Sequence, residues 1–185
     1  MARVSSARIA LAALLIALTT VLTVVARIPI GSTGGYFNLS DVAIVFTGLT
    51  FGPWMGMVAG GIGAALGDVI LGAPQFAPLS LLAHGLQGLL IGLIGYRQQR
   101  ISIMILAWFA GAVAMIGCYF VGEGLLLYQV QGSPASAGWV LAGIEVPWNV
   151  VQAAIGGFLG ILLTLAVRKA YPPIDRLGQP KTWTE

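Results

Sequence analysis

The amino-acid sequence predicts an all-α integral membrane protein with six transmembrane helices and with both termini in the cytoplasm. Of its 185 residues, 58% are apolar and only 8% are charged, whereas about a quarter of the residues of a soluble domain are charged. The basic residues also gather into three short clusters, which is typical of cytoplasmic loops. A chain of this length and uniform composition is expected to form a single membrane domain over residues 1–185.

The basic clusters set the number of crossings. Arg3 and Arg8 precede the first apolar run, Arg97 and Arg100 lie in an internal loop, and the last run is followed by Arg168, Lys169, Arg176 and Lys181. If all three clusters are cytoplasmic, an even number of crossings separates each cluster from the next, and four crossings plus two satisfy this condition. The net charge of +3 then reflects orientation, so it does not indicate a nucleic-acid partner.

The apolar runs and the breaks between them place the six predicted helices. The first run also fits a signal peptide, but further membrane segments follow it instead of a secreted domain. The second run is shorter than the roughly 20 residues that cross a bilayer, so a re-entrant segment is the alternative there. The Gly52-Pro53 break favours a turn between two helices. The predicted helices extend over about Arg8 to Ala26, Asp41 to Phe51, Trp54 to Leu71, Leu79 to Tyr96, Ile101 to Tyr128 and Ile144 to Ala170.

Two long segments are predicted as loops on the outer side, from Arg27 to Ser40 and from Gln129 to Gly143. The first is rich in Gly and contains Tyr36 and Asn38, and the second contains Trp139. Loops of this length either cover a binding site or simply connect helices.

The polar side chains within the predicted helices collect at one depth. An ionisable or amide group inside a bilayer needs a partner, a cavity or a ligand. Here such groups occupy the outer half of four helices, and the inner half is almost purely apolar. This asymmetry predicts a cavity open to the outside rather than a pore. The residues are Asp68, His84, Gln87, Glu123, Glu145, Asn149 and Gln152, of which the His84–Gln87 pair and the last three share helix faces by their spacing.

The candidate site residues also limit the ligand. Tyr36, Tyr128, Trp139 and Trp148 are suited to stack on a flat ring, although Trp and Tyr are also ordinary anchors at the membrane interface. The three acids accept hydrogen bonds from N–H groups, whereas only Arg27 is available to meet an anion. The sequence therefore favours a neutral or cationic heterocycle.

Small residues spaced four apart predict close helix packing, as at Gly56 and Gly60 or at Gly88 and Gly92. On the first predicted helix, Ala13 and Ala17 form such a pair beside Leu-rich surface. This pair is predicted either to pack inside the bundle or to contact a partner protein.

Several motifs resemble the substrate-binding S components of energy-coupling factor (ECF) vitamin transporters, of the riboflavin and hydroxymethylpyrimidine type. They are Gly35-Tyr36-Phe37-Asn38-Leu39-Ser40-Asp41-Val42, Phe51-Gly52-Pro53-Trp54-Met55-Gly56, the Gly-rich run from Gly60 to Asp68, the run from Leu82 to Gly92, and Pro147-Trp148-Asn149-Val150-Val151-Gln152. The resemblance spans about residues 8 to 170.

The resemblance implies a six-helix protein that captures a vitamin from outside, joins a transmembrane coupling subunit and two cytoplasmic ATPase subunits, and topples to carry its site inward. It also implies that Ala13 and Ala17 contact the coupling subunit. No phosphate-binding Gly-rich loop with its Lys occurs in the sequence, so no cofactor is expected and ATP hydrolysis is assigned to the partners. The His and three acids of the site depart from a riboflavin pattern, which favours hydroxymethylpyrimidine, a pyridoxine-like ring or thiamin, with riboflavin as the alternative.

Two other classes of function compete with this interpretation. An intramembrane enzyme would use Asp68, His84 and Glu123 as acid and base, but no Ser or Cys nucleophile is visibly paired with the single His. A channel or secondary transporter would need polar residues through the full depth or repeated halves. The one cysteine, Cys118, excludes an internal disulfide and a multi-cysteine metal site, and neither catalytic residues nor metal ligands are predicted.

Overall fold

Six α-helices and one short β-hairpin form the computed structural model, which describes residues 6–31, 33–131 and 135–177. The strands β1 (Ile28–Pro29) and β2 (Tyr36–Phe37) pair antiparallel between the first two helices. A short 3₁₀ helix, Pro172–Arg176, follows the last helix. This helical architecture confirms the predicted fold class. The helices are α1 (Ser6–Val25), α2 (Ser40–Phe51), α3 (Pro53–Ile70), α4 (Ala77–Gly95), α5 (Ile101–Gln131) and α6 (Ala135–Ala170).

Five of these helices are long and apolar enough to cross a membrane, and α2 is not. With 12 residues, α2 is about 18 Å long, whereas the hydrocarbon core of a bilayer is about 30 Å thick. Most of its residues are buried, because α1, α3, α4 and α6 all pack around it. The short helix is therefore sheltered from lipid by its neighbours, and the β-hairpin precedes it along the chain. The assignment of one end of the bundle to the cytoplasm stays a prediction.

The segment from Gln129 to Gly143, predicted as an outer loop, is mostly helical. Helix α5 continues to Gln131 and α6 already begins at Ala135, so the loop interpretation is wrong for this segment. The Gly and Ser residues that indicated a loop are well tolerated in membrane helices, where neighbouring helices satisfy the backbone. Residues 132–134 and the side chain of Tyr128 lie outside the described residues, so the stacking prediction for Tyr128 stays untested.

At several glycines, neighbouring helices approach so closely that a Cβ atom would not fit between them. A Cβ atom at Gly88 of α4 would collide with the backbone of Gly56 on α3, and the reverse also holds. On the other side of α3, Gly63 and Gly67 receive the side chains of Thr19 and Thr23 from α1. The prediction that these small residues pack inside the bundle is therefore confirmed.

We call the end of the bundle where α2 meets α3 the basic end. There a buried arginine, Arg168, donates hydrogen bonds to backbone carbonyls. The Leu49 carbonyl would normally accept a hydrogen bond from the N–H of the residue four positions later, but that residue is Pro53, which has no N–H. The Leu49 carbonyl instead accepts hydrogen bonds from the Arg97 N–H (3.0 Å) and from Arg168 Nη2 (2.9 Å). Arg168 Nη1 also donates to the carbonyl of Gln98 (2.8 Å). Arg168 thus joins α6 to the end of α2 and to the α4–α5 loop.

Candidate substrate-binding cavity

A cavity lies at the opposite end of the bundle, beneath the β-hairpin. The hairpin segment and every helix except α2 contribute to its lining. The space open to the centre of a water molecule is about 40 Å³, which is a few times the minimum for one water. The lining residues are Thr23, Thr33, Gly35, Tyr36, Asn38, Ala64, Asp68, Phe76, Ser80, His84, Tyr119, Glu123, Glu145, Asn149 and Gln152.

Most of the binding residues predicted from the sequence meet at this cavity. Gln87 is fully buried and lies below the lining, where its side chain contacts His84. The convergence follows from the shared depth of the polar residues and from their spacing along α4 and α6. The predicted residues that line the cavity are Tyr36, Asn38, Asp68, His84, Glu123, Glu145, Asn149 and Gln152.

The two tryptophans predicted to stack on the ligand lie elsewhere. Trp148 is 44% exposed and Trp139 is 41% exposed, and neither lines the cavity. Trp148 precedes Asn149 by one residue, so it is rotated about 100° around α6, toward the surface. Trp139 packs against Phe120 with ring centroids 5.5 Å apart. Neither tryptophan therefore faces this cavity, and the prediction that one of them stacks on the ligand stays untested.

The β-hairpin is fastened over the cavity by side chains of α3 and α6. The Thr33 hydroxyl donates to Glu145 Oε1, and the Tyr36 hydroxyl donates to Asp68 Oδ1. The guanidinium of Arg27 lies 5.3 Å from the centre of the Tyr36 ring. Burial, and then the negative charge of Asp68, raises the pKa of the Tyr36 phenol, so this hydroxyl keeps its proton and remains a donor.

A network of buried polar side chains forms the floor of the cavity. Asp41 accepts hydrogen bonds from Gln87 Nε2 (3.1 Å) and, at longer range, from Gln152 Nε2 (3.5 Å). Gln87 Oε1 lies 2.9 Å from His84 Nδ1, and Gln152 Oε1 accepts the backbone N–H of Asn38 at 3.0 Å. The floor thus connects α2, α4 and α6 with the base of the hairpin.

Some buried polar atoms at the cavity have no hydrogen-bond partner. Glu123 and Asp68 are only 6% and 3% exposed, yet Glu123 Oε2 and Asp68 Oδ2 are unpaired, as is the amide nitrogen of Asn149. Leaving such a group unpaired costs about 1–3 kcal/mol, and more when it is charged. Native proteins seldom bear this cost without a reason, so these atoms are candidates for contact with a ligand. Among the described residues, the other unpaired buried atoms are hydroxyls of α2, on Ser40, Thr47 and Thr50.

The structure also adds residues that sequence reasoning missed. Phe76 and Tyr119 provide aromatic surface in the lining. The Tyr119 hydroxyl lies 2.8 Å from Ser80 Oγ, and its ring meets the His84 ring edge to face, with centroids 5.5 Å apart. Thr33 was overlooked because its role depends on the hairpin, whereas Asp41 had a visible signal, as an acid at the start of an apolar helix.

The two alanines predicted to contact a partner lie on the surface of α1. Ala13 and Ala17 are both exposed, whereas Leu15 and Thr19 of the same helix face the bundle. The pair therefore does not mediate packing within the described part of the chain. Its contact with a coupling subunit stays a prediction.

Comparison with known proteins gives a family and two relatives. The sequence pattern of the family described as "ECF-type riboflavin transporter, S component" matches residues 3–169. The thiamine precursor transporter HmpT of Lactococcus lactis subsp. cremoris (strain MG1363) is 32% identical over 174 residues, which are 92% of this chain and 89% of the relative. A Pyrococcus woesei protein described as "Uncharacterized protein in gap 3'region" is 33% identical over 155 residues, or 84% of this chain and 97% of the relative.

A bundle of apolar helices that encloses a polar cavity near its end is the architecture of a membrane protein that binds a small molecule. The chain belongs to the ECF-type riboflavin transporter S component family. It is therefore a multi-pass protein of the cell membrane and the substrate-capture subunit of an ECF-type importer, not an enzyme. The family resemblance of the motifs is confirmed, and the alternative of an intramembrane enzyme is set aside.

Proposed function

We propose that this S component captures an aminopyrimidine vitamin precursor, with hydroxymethylpyrimidine as the first candidate and thiamin as the second. The supporting observation is the set of unpaired buried atoms at the cavity: acceptors on Asp68 and Glu123 and a donor on Asn149. An aminopyrimidine offers the complementary groups, because its amino group donates twice and its ring nitrogens accept. A pyridoxine-like ring lacks the amino group, so it matches this set less well.

The charges around the cavity support the same class of ligand. Asp68, Glu123 and Glu145 line the cavity, and Asp41 lies in its floor, 3.5 Å from His84. Arg27 is placed over the ring of Tyr36, outside the lining. A phosphorylated or polycarboxylate ligand would need several basic partners, whereas a neutral or protonated pyrimidine suits an acidic cavity.

The size of the cavity favours a single ring over riboflavin. The family description names riboflavin, whereas the name of the Lactococcus relative refers to a thiamine precursor. A space of about 40 Å³ for water centres is small even for a pyrimidine, and a three-ring flavin with its ribityl chain would require much larger movements. Phe76 and Tyr119 replace the two tryptophans as the aromatic surfaces available for stacking.

The hairpin is the natural entrance to the cavity. Its contacts with the helices are made by Thr33 on Glu145 and by Tyr36 on Asp68. Opening these two contacts would uncover the cavity and free both carboxylates for a ligand. This arrangement supports the expectation that the segment from Arg27 to Ser40 acts as a lid.

Calorimetry with the purified protein tests the ligand. We expect hydroxymethylpyrimidine to bind more tightly than thiamin, and riboflavin to bind weakest. Asn149→Ala should weaken hydroxymethylpyrimidine binding roughly tenfold to a hundredfold, because it removes a buried donor to the ring.

Trp148→Phe is the matched control for Asn149→Ala, since it alters the neighbouring residue on the exposed face of the same helix. This variant should bind as the wild type does. Tightest binding of riboflavin, or an unchanged affinity in Asn149→Ala, would contradict the proposed ligand.

We also propose that the exposed Ala13–Ala17 pair packs against a transmembrane coupling subunit, which joins two cytoplasmic ATPase subunits. Small residues on a lipid-facing helix allow another helix to approach closely. ATP hydrolysis is assigned to those partners, with no cofactor held by this chain.

Reconstituted transport tests this docking surface. Ala17→Trp should abolish uptake and leave the affinity of the isolated protein nearly unchanged, because added bulk keeps the partner helix away. Leu18→Trp is the control, since Leu18 is already large, is 36% exposed and is rotated about 100° or more from both alanines around α1; it should retain uptake. Normal assembly and transport by Ala17→Trp would rule out this surface.

A further inference from the structure

Asp41 is fully buried in the floor of the cavity and acts as an acceptor toward two side-chain amides. Gln87 Nε2 donates to its Oδ2 at 3.1 Å, and Gln152 Nε2 lies 3.5 Å from its Oδ1. Because an amide nitrogen faces each of its two oxygens, the Asp41 carboxyl group accepts at both of them. Asp41 therefore determines which end of each amide is turned toward it.

The orientation of Gln152 is fixed independently by a backbone group. The N–H of Asn38 donates to Gln152 Oε1 at 3.0 Å, and a backbone N–H has no capacity to accept. Gln152 must therefore turn its oxygen to Asn38 and its amino group to Asp41. This second constraint agrees with the acceptor role of Asp41.

The orientation of Gln87 determines which kind of hydrogen-bonding group faces His84. Its amino group faces Asp41, so its Oε1, which only accepts, is the atom 2.9 Å from His84 Nδ1. Asp41 Oδ1 lies 3.5 Å from the same nitrogen. Because both neighbours of Nδ1 are acceptors, Nδ1 carries the proton, and in a neutral imidazole Nε2 is then an acceptor.

We propose that Asp41 is a positioning residue that, through Gln87, holds His84 in the Nδ1–H tautomer and so presents Nε2 to the ligand as an acceptor. The role of the ligand in this proposal rests on the proposed function. His84 lines the cavity, and the hydrogen bond described for its ring involves Nδ1 alone. With the free oxygens of Asp68 and Glu123, Nε2 selects a ring that donates N–H or O–H groups and disfavours one that turns a lone pair toward it.

Nitrogen-15 NMR of the ligand-free protein tests the tautomer directly, because the sequence contains a single histidine. With labelled histidine, we expect a protonated Nδ1 and an unprotonated Nε2. A ring protonated at Nε2, or at both nitrogens, overturns the proposal. This measurement needs neither a variant nor a ligand, so it remains decisive if hydroxymethylpyrimidine fails to bind, a result that would count against the proposed function alone.

Asp41→Asn tests whether Asp41 sets the tautomer. An asparagine both donates and accepts, so Gln87 is no longer held in one orientation. We expect the His84 signals to change to a mixture of tautomers, and the affinity for hydroxymethylpyrimidine to fall roughly tenfold to a hundredfold.

Thr47→Val serves as the control for Asp41→Asn, because Thr47 is a buried residue of the same helix whose hydroxyl has no partner. It should keep the wild-type tautomer and affinity. An unchanged tautomer in Asp41→Asn would overturn the proposal, whether or not the affinity falls.

Discussion

The two ends of the bundle bury ionisable side chains in opposite ways. At the basic end, Arg168 is 9% exposed and donates to the carbonyls of Leu49 and Gln98. At the cavity, Glu123 and Asp68 are buried to a similar extent, yet each keeps an unpaired oxygen. At the basic end, the buried arginine donates hydrogen bonds to backbone carbonyls. At the cavity, the buried acids keep oxygens that are free to accept hydrogen bonds from a ligand.

The difference teaches how a structural ionisable group is distinguished from a ligand-binding one in a membrane protein. Burial alone does not separate them, because both kinds of side chain are nearly inaccessible. The state of their hydrogen bonds does, since a structural group is satisfied within the protein and a binding group is satisfied by its ligand. Substitutions at the basic end should therefore lower mainly the stability, and substitutions at the cavity should lower mainly the ligand affinity.

The largest effect is expected between the two ends, at the contact of α3 with α4. Gly88→Val would place side-chain atoms on the backbone of Gly56, which has no means of moving aside without separating the helices. We expect little folded protein, measured as the monodisperse fraction in size-exclusion chromatography. Gly85→Ala, on the same helix, meets its nearest atom at 3.6 Å and should fold normally. Normal folding of Gly88→Val would show that the close contact between α3 and α4 is not needed to hold the two ends in place.

A smaller loss of stability is expected at the basic end. Arg168→Met removes two charge-assisted hydrogen bonds and leaves the Gln98 carbonyl without this donor, so the free energy of unfolding should fall by about 3 kcal/mol. Ligand affinity measured by calorimetry should stay close to that of the wild type. Lys169→Met, at the exposed neighbouring position, should change neither quantity. A large loss of affinity in Arg168→Met would contradict the claim that the basic end supports stability and not ligand binding.

Most of the fold was predictable from the sequence, because long apolar runs and clusters of basic residues follow directly from the properties of a bilayer. The cavity residues on α4 and α6 were predictable for a related reason, since His84, Glu145 and Gln152 are too polar to face lipid. The start of α6 was not, because Gly and Ser indicate loops in water but are accepted in membrane helices.

Other features depended on tertiary structure. Trp148 lies one residue from Asn149, and only the rotation of α6 in the bundle decides which of them faces inward. The aromatic surfaces of Phe76 and Tyr119 come from different elements with no shared spacing. The hydrogen bond from Thr33 to Glu145 joins residues 112 positions apart, so no local pattern indicates it.

The smallest change in stability, and the most informative, is expected for Glu123→Gln in the cavity. The substitution replaces a buried carboxyl group that has an unpaired oxygen by an amide of the same size, which costs no more to bury. Without ligand, the variant should therefore be at least as stable as the wild type. Its affinity for hydroxymethylpyrimidine should nevertheless fall about tenfold or more, because one of two carboxyl oxygens that can accept is replaced by an amide nitrogen that only donates.

Thermal unfolding of the wild type and Glu123→Gln, with and without hydroxymethylpyrimidine, tests this account most directly. At a ligand concentration 100 times its dissociation constant, the wild type should gain about 2.7 kcal/mol of stability, whereas a tenfold weaker variant should gain about 1.4 kcal/mol less. The account predicts an equal or higher midpoint for the ligand-free variant together with this reduced gain. A lower midpoint in the ligand-free variant with an undiminished gain from ligand would contradict it, since Glu123 would then be a structural residue like Arg168.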